Sequence, residues 1–141
     1  MKSQIAFVVF CVVTVTALSS SLDAADKPKA AARQPAAIKD VSVAEAARLA
    51  RDTNVVVLDV RTPREFKAGH IAGATNLNFN DRSFHNQLGA LDKTRPYLVH
   101  CAVGGRSGQA VKAMQSMGFT NIFHLEAGMK GWEKEGQPVV K

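Results

Sequence analysis

Between residues 38 and 141, apolar residues fall into short continuous runs separated by mixed, amphipathic stretches. The runs at 55–58 and 97–100 are rich in β-branched or apolar residues, which is typical of strands buried on both faces of a parallel sheet. Shorter runs predict two more strands, at 74–77 and 121–125. The pattern therefore predicts a sheet whose central strands are covered on both sides.

Helix-start signals lie between these runs. Ser42 followed by Glu45 has the form of a capping box, and Thr62, Pro63 and Glu65 combine an N-cap, a proline at the first helical position and a glutamate at the third. Gly69 is predicted to end the second helix. The predicted helices cover residues 42–51, 62–69, 81–88, 107–117 and 129–135. Strands that alternate with helices predict an α/β domain with a mostly parallel sheet.

The first 37 residues have a different composition. Lys2 precedes an apolar stretch at 5–18 and a small-residue patch at 19–25, which is the order of a secretory signal peptide. Because the apolar stretch is shorter than the roughly 18–20 residues of a membrane span, we predict a cleaved signal peptide over 1–24, with an uncleaved signal anchor as the alternative. Residues 25–37, rich in Ala, Lys and Pro, are predicted to be a flexible linker before a domain at 38–141. We therefore expect an exported, periplasmic protein with no membrane span after cleavage.

Charge and cysteine content narrow the functional classes. The formal net charge is +6, but the basic residues are scattered and the chain has one Trp and one Tyr, which argues against nucleic-acid binding. A diffuse positive field favours small anionic substrates. Loss of Cys11 with the signal would leave Cys101 as the single cysteine, so no internal disulfide is expected. Cys101 is then either a buried, inert residue or a reactive thiol.

The surroundings of Cys101 favour a reactive thiol. It directly follows a predicted strand and precedes a predicted helix, which is where α/β sheets bind ligands. The helix N-terminus and Arg106 would favour the thiolate, while Gly104 and Gly105 let the loop curl into an anion-binding nest. Ser107 would cap the helix and also donate its hydroxyl to sulfur. Packing at a strand end followed by an ordinary glycine turn remains the alternative interpretation.

Several segments carry a resemblance to one family. Residues 101–107, Cys-Ala-Val-Gly-Gly-Arg-Ser, resemble the active-site loop of single-domain rhodaneses. Residues 57–66 resemble the family's upstream segment, 69–74 its Gly-His-Ile turn, and 125–132 its C-terminal signature, with Ala127 where a second Gly is common. The chain most resembles small exported rhodaneses of the phage-shock type. The resemblance implies a three-layer α/β domain whose central sheet has about five mostly parallel strands flanked by helices.

The resemblance also implies a function, a thiosulfate sulfurtransferase in which the catalytic Cys101 carries sulfur as a persulfide to cyanide or a thiol. The loop residues expected to bind the substrate are Ala102, Val103, Gly104, Gly105, Arg106 and Ser107. Asp59 and Arg61 are expected either to support the loop or to form a structural ion pair. No metal or organic cofactor is expected, because sulfur is itself the covalent carrier and the histidines and Cys101 lack zinc-site spacing. The expected partners are a small anionic sulfur donor and a protein or small thiol acceptor, and we expect a monomer.

Two alternatives from other classes remain. The domain is either an enzyme or a persulfide carrier and interaction module with little turnover of small molecules. A cysteine-dependent phosphatase or arsenate reductase is a further alternative, since His100 before Cys101 is similar to the His-Cys pair of such phosphatases. Their loops have the spacing Cys-x5-Arg, whereas this chain has Cys-x4-Arg and no acidic loop residue to act as a general acid. The shorter loop favours sulfur transfer.

Overall fold

The computed structural model describes residues 37–141, and its core is a single parallel sheet flanked by helices. The predicted signal peptide and residues 25–36 of the predicted linker lie outside the described residues. The strands are β1 (Ala37–Asp40), β2 (Val56–Asp59), β3 (Thr75–Asn76), β4 (Pro96–His100) and β5 (Asn121–Leu125). The helices are α1 (Val43–Leu49), α2 (Pro63–Ala68), α3 (Phe84–Gly89), α4 (Gly105–Ser116) and α5 (Gly128–Lys134).

The strand order is β1-β5-β4-β2-β3, and each neighbouring pair is parallel. This confirms the predicted α/β domain with a mostly parallel sheet of about five strands. The first strand was not predicted as an element, because its four residues are all exposed and lack an apolar run. It begins at Ala37, the last residue of the predicted linker, and pairs along the edge with β5 from Ala37–Asn121 to Asp40–His124. That register brings Asp40 next to His124.

Two apolar clusters cover the two faces of the sheet, and successive strand residues alternate between them. Leu58 and Val99 pack with residues of α3 and α4, whereas Val57 and Leu98 pack with residues of α1 and α5. Because strand side chains point to opposite faces in turn, this alternation produces the three-layer arrangement. Among residues 37–141, none of the helices has the length and apolar character needed to cross a bilayer.

Two helices begin two or more residues from their predicted starts, for local reasons. In α3 the chain first forms a turn in which Asp81 accepts the backbone N–H of Ser83 at 2.8 Å, so the helix begins at Phe84. Helix α4 begins at Gly105 rather than at Ser107, since Gly104 takes the N-cap position with a left-handed φ of 88°. The prediction that Ser107 caps this helix is therefore wrong. Ser107 instead lies inside the first turn, facing the preceding loop.

Candidate active site

Cys101 lies at the carboxyl end of β4, immediately before the turn that leads into α4. The residue is only 1% exposed, and its Sγ receives two hydrogen bonds. The backbone N–H of Gly104 donates to Sγ at 3.1 Å, and the hydroxyl of Ser107 is 3.4 Å from it. The thiol is thus surrounded by donors at the start of a helix, which is a setting that stabilises an anion.

The balance of burial and hydrogen bonding decides the charge of this thiol. Burial raises the pKa of Cys101, because the thiolate loses contact with water. Hydrogen bonds from the Ser107 side chain and from the N–H groups of Ser107, Val103 and Gly104 favour the thiolate and outweigh burial, so that the pKa of Cys101 lies below its ordinary value. The site therefore favours a nucleophilic thiolate.

One glycine of the loop is required by its geometry and the other is not. Gly104 has a φ of 88°, and a Cβ atom there would lie 2.5 Å from the carbonyl oxygen of Glu126. Gly105 has neither a positive φ nor a neighbouring atom within 4 Å of such a Cβ. The curl that aims the Gly104 N–H at sulfur thus depends on a residue without a side chain at position 104.

The N-terminus of α5 supports the loop from behind. The N–H of Met129 donates to the Cys101 carbonyl at 2.8 Å, and that of Lys130 donates to the Ala102 carbonyl at 3.1 Å. Gly128 has a φ of 59°, and a Cβ there would approach both carbonyl oxygens to 2.6 Å. The segment at 125–132 therefore fixes the backbone that carries Cys101.

Arg106 is held by a residue from a different helix. Its guanidinium donates to both carboxylate oxygens of Glu65 at 2.8 Å, while the same carboxylate accepts from Thr62 in the capping box of α2. The hydrogen bond from Arg106 holds the pKa of Glu65 far below its usual range. The bond to Glu65, and to a lesser extent the charges of Cys101 and Asp59, raise the pKa of Arg106. The sequence indicated a role for Glu65 only at the start of α2. No local pattern predicted its contact with Arg106.

A chain of hydrogen-bonding side chains extends from Cys101 to the edge of the sheet. The Ser107 hydroxyl lies 2.9 Å from His124 Nε2, and His124 Nδ1 lies 2.9 Å from Asp40 Oδ1. Ser107 is fully buried and His124 is 8% exposed, whereas the Asp40 side chain is 72% exposed. His124 and Asp40 were not among the predicted site residues, because the pairing of β1 with β5 brings them together.

The family model that describes a rhodanese-like domain matches residues 42–135 of the chain. The chain belongs to the rhodanese-like domain family. Among its relatives, the uncharacterised protein YibN of Escherichia coli is 33% identical over 106 residues, covering 74% of this chain and 73% of YibN. The thiosulfate sulfurtransferase GlpE of Shewanella oneidensis is 32% identical over 96 residues, covering 68% of this chain and 93% of GlpE. The family model and GlpE confirm the predicted resemblance to single-domain rhodaneses.

A solved structure supports the same assignment. The crystal structure of a rhodanese-related protein from Thermoplasma volcanium matches with a TM-score of 0.65 and 31% identity, covering 72% of this chain and 97% of that one. Its match extends over most of the residues that the structure describes. The predicted rhodanese-like fold is therefore confirmed by both sequence and structure.

In this rhodanese-like domain, Asp59 and Arg61 bind each other. Arg61 Nη2 donates to Asp59 Oδ2 at 2.6 Å and to the Gly69 carbonyl at 2.7 Å, and the Arg61 N–H also donates to Asp59. The Asp59 side chain is fully buried and that of Arg61 is 7% exposed. Within residues 37–141, neither side chain makes a hydrogen bond to the loop at 101–107. The pair thus connects β2 to the turn after α2.

His100, the neighbour of Cys101, is buried and has little hydrogen bonding. Its Nδ1 is 3.4 Å from the Cys101 carbonyl, and its Nε2 lies 3.8 Å from Asp59 Oδ2 without a hydrogen-bond partner. Burial lowers the pKa of His100 and favours its neutral form.

Within the described part of the chain, no three His, Cys, Asp or Glu side chains are placed to share a metal ion.

The outer edge of the loop is apolar. Val103 is 59% exposed, Ala102 is half-buried, and Gly105 is exposed. Isolated exposed valines are common on protein surfaces. This one lies two residues from Cys101 in the same loop.

Proposed function

We propose that this rhodanese-like domain is a thiosulfate sulfurtransferase in which Cys101 carries the sulfur. One observation supports the proposal above the others: Cys101 Sγ accepts hydrogen bonds from Gly104 and Ser107 at the start of α4, which lowers the pKa of its thiol. The relative GlpE, which has the name of such an enzyme, supports the same reaction class. A buried thiol without these donors would be protonated and unreactive.

The reaction takes place in two displacement steps. The Cys101 thiolate attacks the outer sulfur of thiosulfate, a sulfur–sulfur bond forms, and the bond to the departing sulfite breaks with its electron pair. The resulting persulfide anion then gives its outer sulfur to cyanide, which leaves as thiocyanate, or to a thiol acceptor. The thiolate is regenerated and charge is conserved in each step. Sulfur is the covalent carrier, so the proposal includes no metal and no organic cofactor.

Arg106 would bind the anionic donor beside the sulfur. A guanidinium has five N–H donors, and two of its hydrogen bonds go to Glu65, which leaves donors for a sulfonate oxygen of thiosulfate. The charge of Cys101 is one of the smaller contributions to the raised pKa of Arg106, after its hydrogen bond to Glu65. Charge-assisted hydrogen bonds of this kind are about twice as strong as neutral ones. The N–H groups of residues 103, 104 and 107 would hold the persulfide charge, and Ala102, Gly105 and Val103 complete the donor pocket.

A protein acceptor is the second candidate, supported by the exposed Val103. An apolar side chain beside the nucleophile suits the docking of a protein thiol, and the domain would then act as a persulfide carrier.

We further propose that the protein acts as a monomer. Its signal-like segment at 1–24 would direct it to the periplasm.

The test is thiocyanate formation from thiosulfate and cyanide, with Cys101→Ser as the matched variant. We expect turnover by the native chain, none by Cys101→Ser, and a mass gain of one sulfur atom on Cys101 after thiosulfate alone. If Cys101 takes up sulfur and passes it rapidly to a protein thiol, but negligible thiocyanate forms, the carrier role would be favoured. A folded, reduced protein that takes up no sulfur from any donor would refute sulfur transfer. Hydrolysis of a phosphate ester by that sample would favour the phosphatase alternative.

A further inference from the structure

The proton positions along the chain Asp40–His124–Ser107 are constrained by the groups that flank it. The Asp40 carboxylate only accepts hydrogen bonds, so the Nδ1 atom that faces it at 2.9 Å has to carry a proton. In a neutral imidazole the other nitrogen, Nε2, is then an acceptor. The single proton of the Ser107 hydroxyl therefore points to Nε2 when His124 is neutral, and it is donated to Cys101 Sγ only when Nε2 itself carries a proton.

The Ser107 oxygen has three hydrogen-bonding neighbours. It lies 3.0 Å from the Gly104 carbonyl, which also accepts the N–H of Gly108 at 2.8 Å and so keeps one hydrogen bond without Ser107. Its other neighbours are His124 Nε2 at 2.9 Å and Cys101 Sγ at 3.4 Å, of which Sγ also accepts the Gly104 N–H. Because Ser107 is fully buried, water does not substitute for either bond. The hydroxyl thus joins the imidazole to the sulfur.

We propose that Cys101 and His124 share one proton through the hydroxyl of Ser107, and that Asp40 stabilises the state in which His124 holds it. In the thiol form, the Cys101 S–H donates to Ser107 Oγ, whose own O–H donates to His124 Nε2. On transfer the S–H bond breaks and a new Oγ–H bond forms, while the original Oγ–H bond breaks and an Nε2–H bond forms. The products are a thiolate and an imidazolium, and the Ser107 hydroxyl now donates to sulfur.

This inference concerns the nucleophile of the proposed sulfur transfer and explains how its thiolate forms in a buried site. An imidazolium between Ser107 and the carboxylate of Asp40 offsets the cost of the buried negative charge on sulfur. Ser107 touches the reacting atom, whereas His124 and Asp40 act through it and are positioning residues. Since Asp40 is 72% exposed, water screens its charge, and its contribution is smaller than that of His124.

Apart from His124 itself, the charged groups around this relay come from three elements, β1, α2 and α4. Asp40 from β1 and Ser107 from α4 face the His124 ring, and a Cβ at Gly108 would lie 3.9 Å from its Cε1 atom. On the sulfur side, Arg106 from α4 contributes its charge and is itself paired with Glu65 from α2. The variants below leave Arg106 and Glu65 unchanged, so that their charges are constant across the series.

The experiment is the alkylation rate of Cys101 by iodoacetamide as a function of pH, measured on the full chain and on His124→Gln by mass spectrometry of the peptide that contains Cys101, so that Cys11 does not contribute. Glutamine can hydrogen-bond to Ser107 but cannot take a proton. We expect the midpoint of thiol reactivity to move upward by about one to two pH units, the scale of a charge-assisted hydrogen bond. Asp40→Asn should shift it less and in the same direction, and His85→Gln, at an exposed histidine, should leave it unchanged. Superimposable profiles for the native chain, His124→Gln and Asp40→Asn would overturn the proposal.

A second readout does not depend on the folding of His124→Gln. If the two groups share a proton, the imidazole resonances of His124 shift at the same pH at which Cys101 gains the ultraviolet absorbance of a thiolate. In Cys101→Ser that step in the His124 resonances should be absent. An unchanged His124 titration in Cys101→Ser would refute the relay. Neither measurement needs a sulfur donor, so failure of the relay is distinguishable from failure of the proposed transfer.

Discussion

The domain contains two arginine–carboxylate pairs whose chemistry is the same and whose surroundings differ. Asp59 and Arg61 are two residues apart and almost fully buried, with side-chain exposures of 0% and 7%. Glu65 and Arg106 are 41 residues apart and partly exposed, at 35% and 26%. In each pair the guanidinium makes more than one hydrogen bond to the carboxylate.

The difference lies in what it would cost to separate each pair. Separating a buried pair leaves an uncompensated charge in the interior, so Asp59 and Arg61 are fixed to each other. A partly exposed pair contributes little stability because water screens both charges. Arg106 can therefore turn toward a second anion at small cost, which is what a donor-binding residue needs. The weaker pair is the one suited to function.

Breaking the buried pair should have the largest effect. Asp59→Asn and Arg61→Met each leave one buried partner uncompensated, and we expect the free energy of unfolding to fall by about 3–5 kcal/mol. Urea denaturation measures this change. In the double variant the cost should be well below the sum of the two single costs, because no charge is then left unpaired. Single variants within about 1 kcal/mol of the native chain would show that burial does not make this pair structural.

Removing the guanidinium of the other pair should affect kinetics more than stability. For Arg106→Gln we expect kcat/KM for thiosulfate to fall about 10- to 150-fold, the range that corresponds to one lost charged hydrogen bond of about 1.5–3 kcal/mol. The unfolding free energy should change by at most about 1 kcal/mol. Arg51→Gln is a control at an exposed arginine that follows α1 and precedes the amino end of β2, whereas Cys101 lies at the carboxyl end of β4.

The dependence of KM on ionic strength is a second test of the role of Arg106. Raising the ionic strength should raise the KM of the native chain for thiosulfate and change that of Arg106→Gln less, since screening acts on the charge that the variant lacks. Equal salt dependence in the two proteins, together with an unchanged kcat/KM, would show that Arg106 does not bind the donor.

The sequence predicted well what is local in the chain. Strands that are covered on both faces need apolar side chains on both, so the continuous apolar runs predicted the buried strands. For β5 the predicted bounds are those of the structure. The Cys101 loop was also identifiable, since its nucleophile, its donors at Gly104 and Ser107 and its arginine are contiguous in sequence. Local chemistry of this kind does not depend on the strand order.

Contacts between distant segments were not predictable in the same way. Asp40 and His124 are 84 residues apart, and they meet only because β1 is the edge strand beside β5. Strand β1 is four residues long and exposed, so it has no hydrophobic pattern from which a strand could be predicted. Likewise, Glu65 has the pattern of a capping residue, and its second role depends on how α2 packs beside the loop. The residues proposed to act on Cys101 from distant segments are therefore those that no local sequence pattern predicts.

The smallest expected effect is that of Glu65→Gln, and pH makes it measurable. Glutamine retains the geometry of the helix cap but loses the charged pair, so the unfolding free energy at neutral pH should fall by less than about 1 kcal/mol. Because Arg106 lowers the pKa of Glu65 in the folded state, the carboxylate stabilises the fold above its ordinary pKa of about 4.3, and this contribution is lost as the pH falls.

The stability difference between the native chain and Glu65→Gln should therefore shrink below about pH 4.3 and vanish in stronger acid. Glu45→Gln is the matched control, because Glu45 occupies the same position in α1 but pairs with the exposed Lys39. Urea denaturation across acid pH measures both differences. A Glu65→Gln difference that stays constant with pH would mean that the loss comes from packing at the cap. The ion pair with Arg106 would then contribute nothing measurable to stability, and the charge of Glu65 would not control how readily Arg106 turns toward a donor.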